Sequence, residues 1–385
     1  MSIYRAPIQI ETIPTGDQEE DKRPRTRCGY LVSEAYQCYE QSLGETGAVA
    51  SGKALHFAAD IVCSGGIEIW IRGAYSYAIQ HIGIASPRIF VYLKQRVGEL
   101  DKRMATLPQD TFFTTPEVQA CVSETVLIIQ LCPKRTKVVW PKIDPTTKRN
   151  GWLRGIAGAA EAKAVRQTFS HEEDTGTMYL VGNEFCKAIQ EGSTEKALFW
   201  ARWILEEDVR VWKETKAGLT TKERGPPDMN PKARKDVGYY LADILAELYN
   251  ELASKNLVRM HEEFIELRRL YRGGEKRMAA RLRRDCLGWM ILICCEVPRW
   301  KVPAAPQLVQ DPVKLSRAVS QSKSFFTEVL AYKALPYEKQ IKAAMTRAQK
   351  QKKIKELTEK QKKDQSIEDH FDAYDAVMEA YLNKF

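Results

Sequence analysis

The residues whose types and spacing could do chemistry are chiefly cations, and they fall in three groups. Between positions 268 and 284 stand Arg268, Arg269, Arg272, Lys276, Arg277, Arg281, Arg283 and Arg284, with Glu275 as the one acid among them. A guanidinium is a planar fork of N–H donors that grips phosphate or carboxylate two bonds at a time, so a line of such forks suits a polyanion. Arg277, Arg281 and Arg284 follow helical spacing beside the apolar positions Met278, Leu282, Cys286, Trp289 and Ile293, which predicts one exposed basic face. The competing reading is a solvated rim that pairs with Glu262, Glu263 and Glu266 just upstream.

The second group, Lys134, Arg135, Lys137, Lys142, Lys148 and Arg149 with Trp140, lies in a proline-bounded stretch where basic and aromatic residues alternate. That composition suits single-stranded nucleic acid, whose bases stack on rings while its phosphates meet cations, and it equally suits an ordinary exposed loop. The third group is residues 339–363, with ten Lys or Arg against Glu356 and Glu359, a local charge of 10 − 2 = +8. Residues 364–385 reverse the sign, with six acids against Lys384, or 1 − 6 = −5. The whole chain carries 59 − 50 = +9, so residues 1–338 hold 9 − 8 + 5 = +6, too little for a general polyanion binder.

Enzymatic motifs are weaker. Residues 47–54 read Gly-Ala-Val-Ala-Ser-Gly-Lys-Ala, which fits GxxxxGK but puts Ala54 where a phosphate loop needs the hydroxyl that holds Mg²⁺. The run before it looks like a short polar helix rather than a buried strand, so Lys53 is expected to bind no nucleotide and Ser51 to cap a helix over 52–63. The five histidines are scattered, and His261 lacks a second histidine four residues on. His81 shares a stripe with Trp70, Ala74 and Tyr77 and is expected to be partly buried. Nine cysteines form no CxxC pair, and Cys294 and Cys295 sit in an apolar run as small hydrophobes. No catalytic residue, metal or cofactor is expected.

The elements that must position these groups read as helices. Ser86-Pro87, Thr115-Pro116, Asn230-Pro231 and Asp311-Pro312 are cap-and-proline starts. Behind the first, Phe90, Leu93, Val97, Leu100 and Met104 recur at helical spacing. Behind the third, Val237, Leu241, Ile244, Leu248 and Leu252 do the same, followed by a second stripe through Leu257, Met260, Phe264, Leu267 and Tyr271. Those two helices are expected to pair antiparallel. Only residues 67–71 alternate with period two, and their continuation fits a helix. No fixed repeat period recurs, so the expected fold is all-α: an irregular helical bundle or a short degenerate solenoid.

Domain organisation is expected as an extended arm at 1–29, helical regions at 30–150 and 151–335, and a basic linker with an amphipathic helix at 336–385. In that last helix Ile367, Phe371, Tyr374, Met378, Tyr381 and Phe385 form an apolar seam suited to docking on the body or on another chain. No apolar run approaches the roughly 20 residues of a membrane span, and free thiols without an export signal point to the cytoplasm or nucleus. The function expected from these features is a non-enzymatic helical interaction or structural component of a larger protein assembly, either a cellular complex or a virus particle. The alternative is a nucleic-acid-binding factor using 134–149, 268–284 and 339–363, and the third is an enzyme whose site is dispersed along the chain. Other protein chains are the expected partners, with nucleic acid second, and oligomeric state is left open.

Overall fold

Apolar residues at helical spacing close into helices along the computed structural model, which describes residues 25–148, 150–156, 158–255, 261–279, 281–296, 308 and 312–332. In order these are α1 (Val32–Gly44), α2 (Ala48–Cys63), α3 (Ile67–Tyr77), α4 (Arg88–Thr106), α5 (Gln109–Phe112), α6 (Pro116–Leu131) and α7 (Asn150–Ile156). There follow α8 (Lys163–Thr168), α9 (Gly176–Gln190), α10 (Thr194–Thr215), α11 (Gly238–Ser254), α12 (His261–Tyr271), α13 (Leu282–Cys295) and α14 (Pro312–Ala331). Among the described residues there is no sheet, and the isolated bridge between Arg25 and Leu31 is the β-type pairing present. The fold is all-α.

Two helices organise the packing. Around α2 lie α1, α3, α6 and α14; around α13 lie α9, α10, α11 and α12. Every residue of α13 from Cys286 to Cys295 is buried, which is why its sequence is apolar on all sides rather than along one stripe. Each large side chain fully buried there contributes about 1.5–3 kcal/mol. The chain path crosses the sequence break near 150, because α14 returns to lie on α2 and α6.

Where α3 ends, the chain widens into a π-turn, Ala78–Ile82. The Trp289 indole donates to the Ile79 carbonyl at 2.8 Å and so satisfies a group that the turn frees from the helix ladder. Gly83 follows with φ of 51°, and a Cβ there would lie 2.2 Å from the Trp289 ring. Both conformation and space require glycine.

Several expected starts move for identifiable reasons. Helix α2 begins at Ala48, not 52: Ser51 sits inside it and its hydroxyl bonds Gln130 Oε1 at 2.6 Å instead of capping. Helix α11 begins at Gly238 rather than at Pro231, because the Arg224 and Gly225 N–H groups both donate to the Arg234 carbonyl and draw 231–235 into turns. The antiparallel pairing of α11 with α12 holds, in the ladder Tyr249 on Phe264, Asp243 to Arg268 and Tyr239 on Tyr271. Residues 25–29, expected as the end of an extended arm, belong to a tight hairpin over 25–31: Cys28 N–H donates to Asp60 Oδ1 at 3.0 Å and Arg27 N–H to Ser64 Oγ at 2.7 Å. The rest of the arm, 1–24, and residues 333–385 lie outside the described residues.

Candidate functional site

The arginine series does not run along one helix. Residues 275–279 and 281 are turns, with Met278 N–H on the Glu275 carbonyl and Leu282 N–H on the Ala279 carbonyl, and α13 starts only at Leu282. Within the turns Arg277 is 17% exposed and tied twice, to Asp101 Oδ1 at 2.7 Å and Oδ2 at 3.0 Å, and to Glu275 Oε1 at 2.7 Å. It therefore leaves the exposed face on which its spacing placed it.

Most of the other cations are also engaged. Arg268 and Arg272 reach Asp243 on α11 at 2.8 and 3.4 Å, and Arg269 binds the buried Glu266 at 2.6 Å. Of the three upstream carboxylates expected as partners, Glu266 alone takes one of these arginines, while Glu263 pairs with Arg88 at 3.5 Å. Arg283 lies over Gly273, where any Cβ would strike its guanidinium. Lys276 reaches Asp228 at 3.9 Å while 88% exposed, a contact of little energetic weight.

In the second group Lys134 is a cap. Its ammonium donates to the carbonyls of Ile129, Gln130 and Cys132 at 2.8, 2.7 and 3.0 Å, closing the C-terminus of α6 where the helix dipole favours a cation. Desolvation lowers its pKa. Arg135 makes a two-pronged pair with Glu296 at 2.8 and 3.1 Å, and its backbone N–H donates to the His81 carbonyl. His81 itself is exposed, not partly buried, with its ring 4.6 Å from that of Tyr77. Its pKa is lowered by desolvation first and then by Lys134 and Lys137.

What is left is a small set that the fold brings together from three places. The extended stretch 133–144 crosses α13 at Gly288, where a Cβ would lie 2.8 Å from Val138 Cγ1 and 3.2 Å from Trp140 Cζ2. This crossing sets Lys137 beside the N-terminal end of α13, so Lys137, Arg281 and Arg284 all act on the Asp285 carboxyl. Burial raises the Asp285 pKa, and Trp140 and the three cations oppose that rise. Arg72, on the outer side of α3, joins them: its Nε donates to the Arg277 carbonyl at 3.1 Å, and both it and Arg281 act on Tyr36 of α1. Arg72, Lys137, Arg281 and Arg284 are exposed, and among the described residues none forms an ion pair. The carboxylates facing them, Asp285 and Glu40, are half-buried.

Arg72 was not among the residues singled out in the sequence. It is an isolated arginine in an apolar stretch, and only the packing of α3 against the turn at 277 gives it neighbours. Trp140, by contrast, is half-buried, with its ring edge against Gly288 of α13.

Other chemistry is sparse among the described residues. All nine cysteines are free thiols, and seven are buried. Burial pushes Cys63, Cys121, Cys132, Cys186 and Cys295 up to about 12, the reverse of what activates a nucleophile. No group of His, Cys, Asp or Glu among those residues has the geometry to hold a metal ion. Residues 47–53, the GxxxxGK stretch, are the first turns of α2 and its N-cap, with the amide of Ser51 bonded to the Gly47 carbonyl. A polar groove of about 210 Å³ between α8 and α11, lined by Lys163, Gln167, Glu247 and Asn250, is below the roughly 300–1,000 Å³ of small-molecule sites. Among the described residues no helix is long and apolar enough to cross a membrane.

Comparison of the chain with family models, with curated proteins and with solved structures gives no match.

Proposed function

We propose that this chain is a non-enzymatic α-helical component of a larger protein assembly, with its helical body acting as a platform from which two terminal segments reach partner chains. The observation that carries this reading is where the described body joins those segments. Arg27 Nη1 donates to the Tyr332 carbonyl at 3.4 Å, so the hairpin that ends residues 1–24 and the end of α14 that begins residues 333–385 lie side by side. The hairpin is fixed on Asp60 and Ser64 of the α2 end, and α14 is seated through Ser322, Phe326 and Val329. Two segments joined to a body at one place raise each other's effective concentration at a shared partner.

The seam of Ile367, Phe371, Tyr374, Met378, Tyr381 and Phe385 and the basic run 339–363 lie outside the described residues, and they are the segments this reading assigns to partner contact. Cutting the chain after Lys363 tests it. The expected outcome is an unchanged melting temperature together with loss of the partners that the full chain retains when isolated from its native source. Retention of the same partners by the shortened chain would remove the assigned role, and a large fall in melting temperature would mean that the segment closes the body instead.

A further inference from the structure

The ridge of Arg72, Lys137, Arg281 and Arg284 is not explained by the fold it sits on. Arg281 is the N-cap residue of α13 and Arg284 is in its first turn. Cations at that end of a helix oppose its dipole, and no carboxylate among the described residues forms an ion pair with either. Desolvation and then Arg202 of α10 oppose the charge of Arg284, and the support of Asp236 and Glu206 does not outweigh them. Elsewhere the same chain pairs its arginines closely, as at Arg277 with Asp101 and Arg135 with Glu296. Four exposed cations from three separate segments, three of them gathered around Asp285 and the fourth, Arg72, sharing Tyr36 with Arg281, two of them set against the α13 dipole, have the makeup of a surface that meets anions in a partner.

The kind of anion follows from what the ridge lacks. A protein-binding surface is built around a buried apolar or aromatic centre, and on the segments that carry the ridge the large apolar side chains that stand exposed are two separate ones, Val139 on the crossing stretch and Ile69 on α3. A single-strand site needs open rings on which bases stack, and the two rings beside the ridge are both half-buried, Trp140 against Gly288 and Tyr36 against Gly73. Forks and an ammonium without either feature match a regular array of phosphates. We propose that Arg72, Lys137, Arg281 and Arg284 form a sequence-independent docking surface for the phosphate backbone of a nucleic-acid duplex. This inference is independent of the terminal segments assigned to partner chains above.

The test uses the full chain and a fluorescein-labelled 20-base-pair DNA duplex, with anisotropy read between 50 and 200 mM NaCl. Matched arms contain duplex RNA, single-stranded DNA of one of the two sequences, and polyglutamate. Non-specific duplex binding with a dissociation constant of about 1–100 μM is expected, with a log–log salt slope of about −0.9 for each phosphate met. The charge reversals Lys137→Glu, Arg281→Glu and Arg284→Glu together should weaken binding at least tenfold and flatten the slope by two to three. Arg281→Lys with Arg284→Lys, which keeps the charge, should restore most of it. A parallel variant with Lys352, Lys353 and Lys355 changed to Gln separates the tail: if that variant loses the binding and the triple reversal does not, the ridge is not the site. Tighter binding of the single strand than of the duplex overturns the choice of duplex, and equal binding of polyglutamate overturns the choice of nucleic acid. An equal affinity for duplex RNA and DNA supports backbone reading, while a tenfold preference for one identifies which duplex the ridge accepts.

Discussion

Arg268 and Arg272 stand within 17 residues of Arg281 and Arg284, and the sequence gives them the same character, yet the fold puts them to opposite uses. The first two close onto Asp243, as part of a network that continues through Arg224 to the buried Asp174. Arg224 donates to both Asp174 oxygens and to the Thr168 carbonyl and lies over the Tyr240 ring, while Asp174 also accepts the N–H groups of Ser170 and Lys222. Every charge there has partners, and the network ties the loop after α10 to α9, α11 and α12. The second pair, with Arg72 and Lys137, has no ion-pair partner among the described residues, and of the four Arg72 bridges two segments, by its bond to the Arg277 carbonyl. The difference lies in the position of one carboxylate. Because α11 and α12 run antiparallel, Asp243 faces Arg268 and Arg272, whereas the turns at 275–279 carry the later arginines past its reach. A cation's role is thus set by what tertiary packing brings opposite it.

The largest expected effect breaks the buried side of this contrast. Arg224→Met leaves the Asp174 charge enclosed without its main partner and should cost about 3–5 kcal/mol in urea denaturation, with part recovered when Asp174→Asn is added. A loss below about 1 kcal/mol would mean that the network is no more structural than the ridge. Next in size is Gly288→Ala, whose methyl would meet Val138 and Trp140. It should cost about 1–3 kcal/mol by overpacking, and by lifting the crossing strand it should weaken duplex binding without altering any charge. Unchanged binding in that variant would show that Lys137 need not sit beside Arg281.

One buried and one half-buried carboxylate give the contrast a pH signature. At Asp174 burial would raise the pKa, but the Arg224 and backbone hydrogen bonds outweigh it and hold the group below its ordinary value. Its folded pKa being depressed, its contribution is present above the unfolded pKa and is lost as pH falls through the folded one, in the acid range below about 4. Asp208 has no such cation. Burial pushes it up to about 6, although its Oδ1 accepts the Leu219 N–H at 2.8 Å. With a raised folded pKa, the protonated form is favoured by the fold, so stability declines as pH rises from about 4 to about 6. Asp208→Asn keeps the acceptor and removes the charge. It should flatten that interval and raise stability at pH 7 by on the order of 1 kcal/mol, measured as melting temperature against pH. A curve parallel to that of the unaltered chain would show that Asp208 titrates normally. The smallest stability effect belongs to the ridge itself. Arg281→Glu with Arg284→Glu should cost no more than about 1 kcal/mol, since the gain from acids in the first turn of α13 is offset by repulsion from Asp285 and Glu40.

The helix stripes were legible because burial imposes its period on the sequence. Phe90, Leu93, Val97 and Leu100 are all buried on α4, as are Val237, Leu241, Ile244 and Leu248 at α11, and the starts at Thr115-Pro116 and Asp311-Pro312 fall at the observed boundaries within a residue. The start at Asn230-Pro231 misled because the local signal was overridden by hydrogen bonds from Arg224 and Gly225, residues that a window along the chain does not connect with Arg234. The exposed face expected of Arg277, Arg281 and Arg284 was legible in part. Spacing located Arg281 and Arg284, but Asp101, 176 residues away from Arg277, withdrew the third.

Composition and periodicity by themselves determined the all-α class, the apolar faces and the presence of more cations than local acids could pair, because these depend on residue type and on neighbours within a turn or two. Only the tertiary structure decided which cations are spent as caps and ion pairs and which stand free. That choice depends on carboxylates and carbonyls delivered by other helices: Asp243 to Arg268, Glu296 to Arg135, and the end of α6 to Lys134. The same packing set Lys137 beside Arg281 by laying Val138 and Trp140 across Gly288, a contact between segments about 150 residues apart.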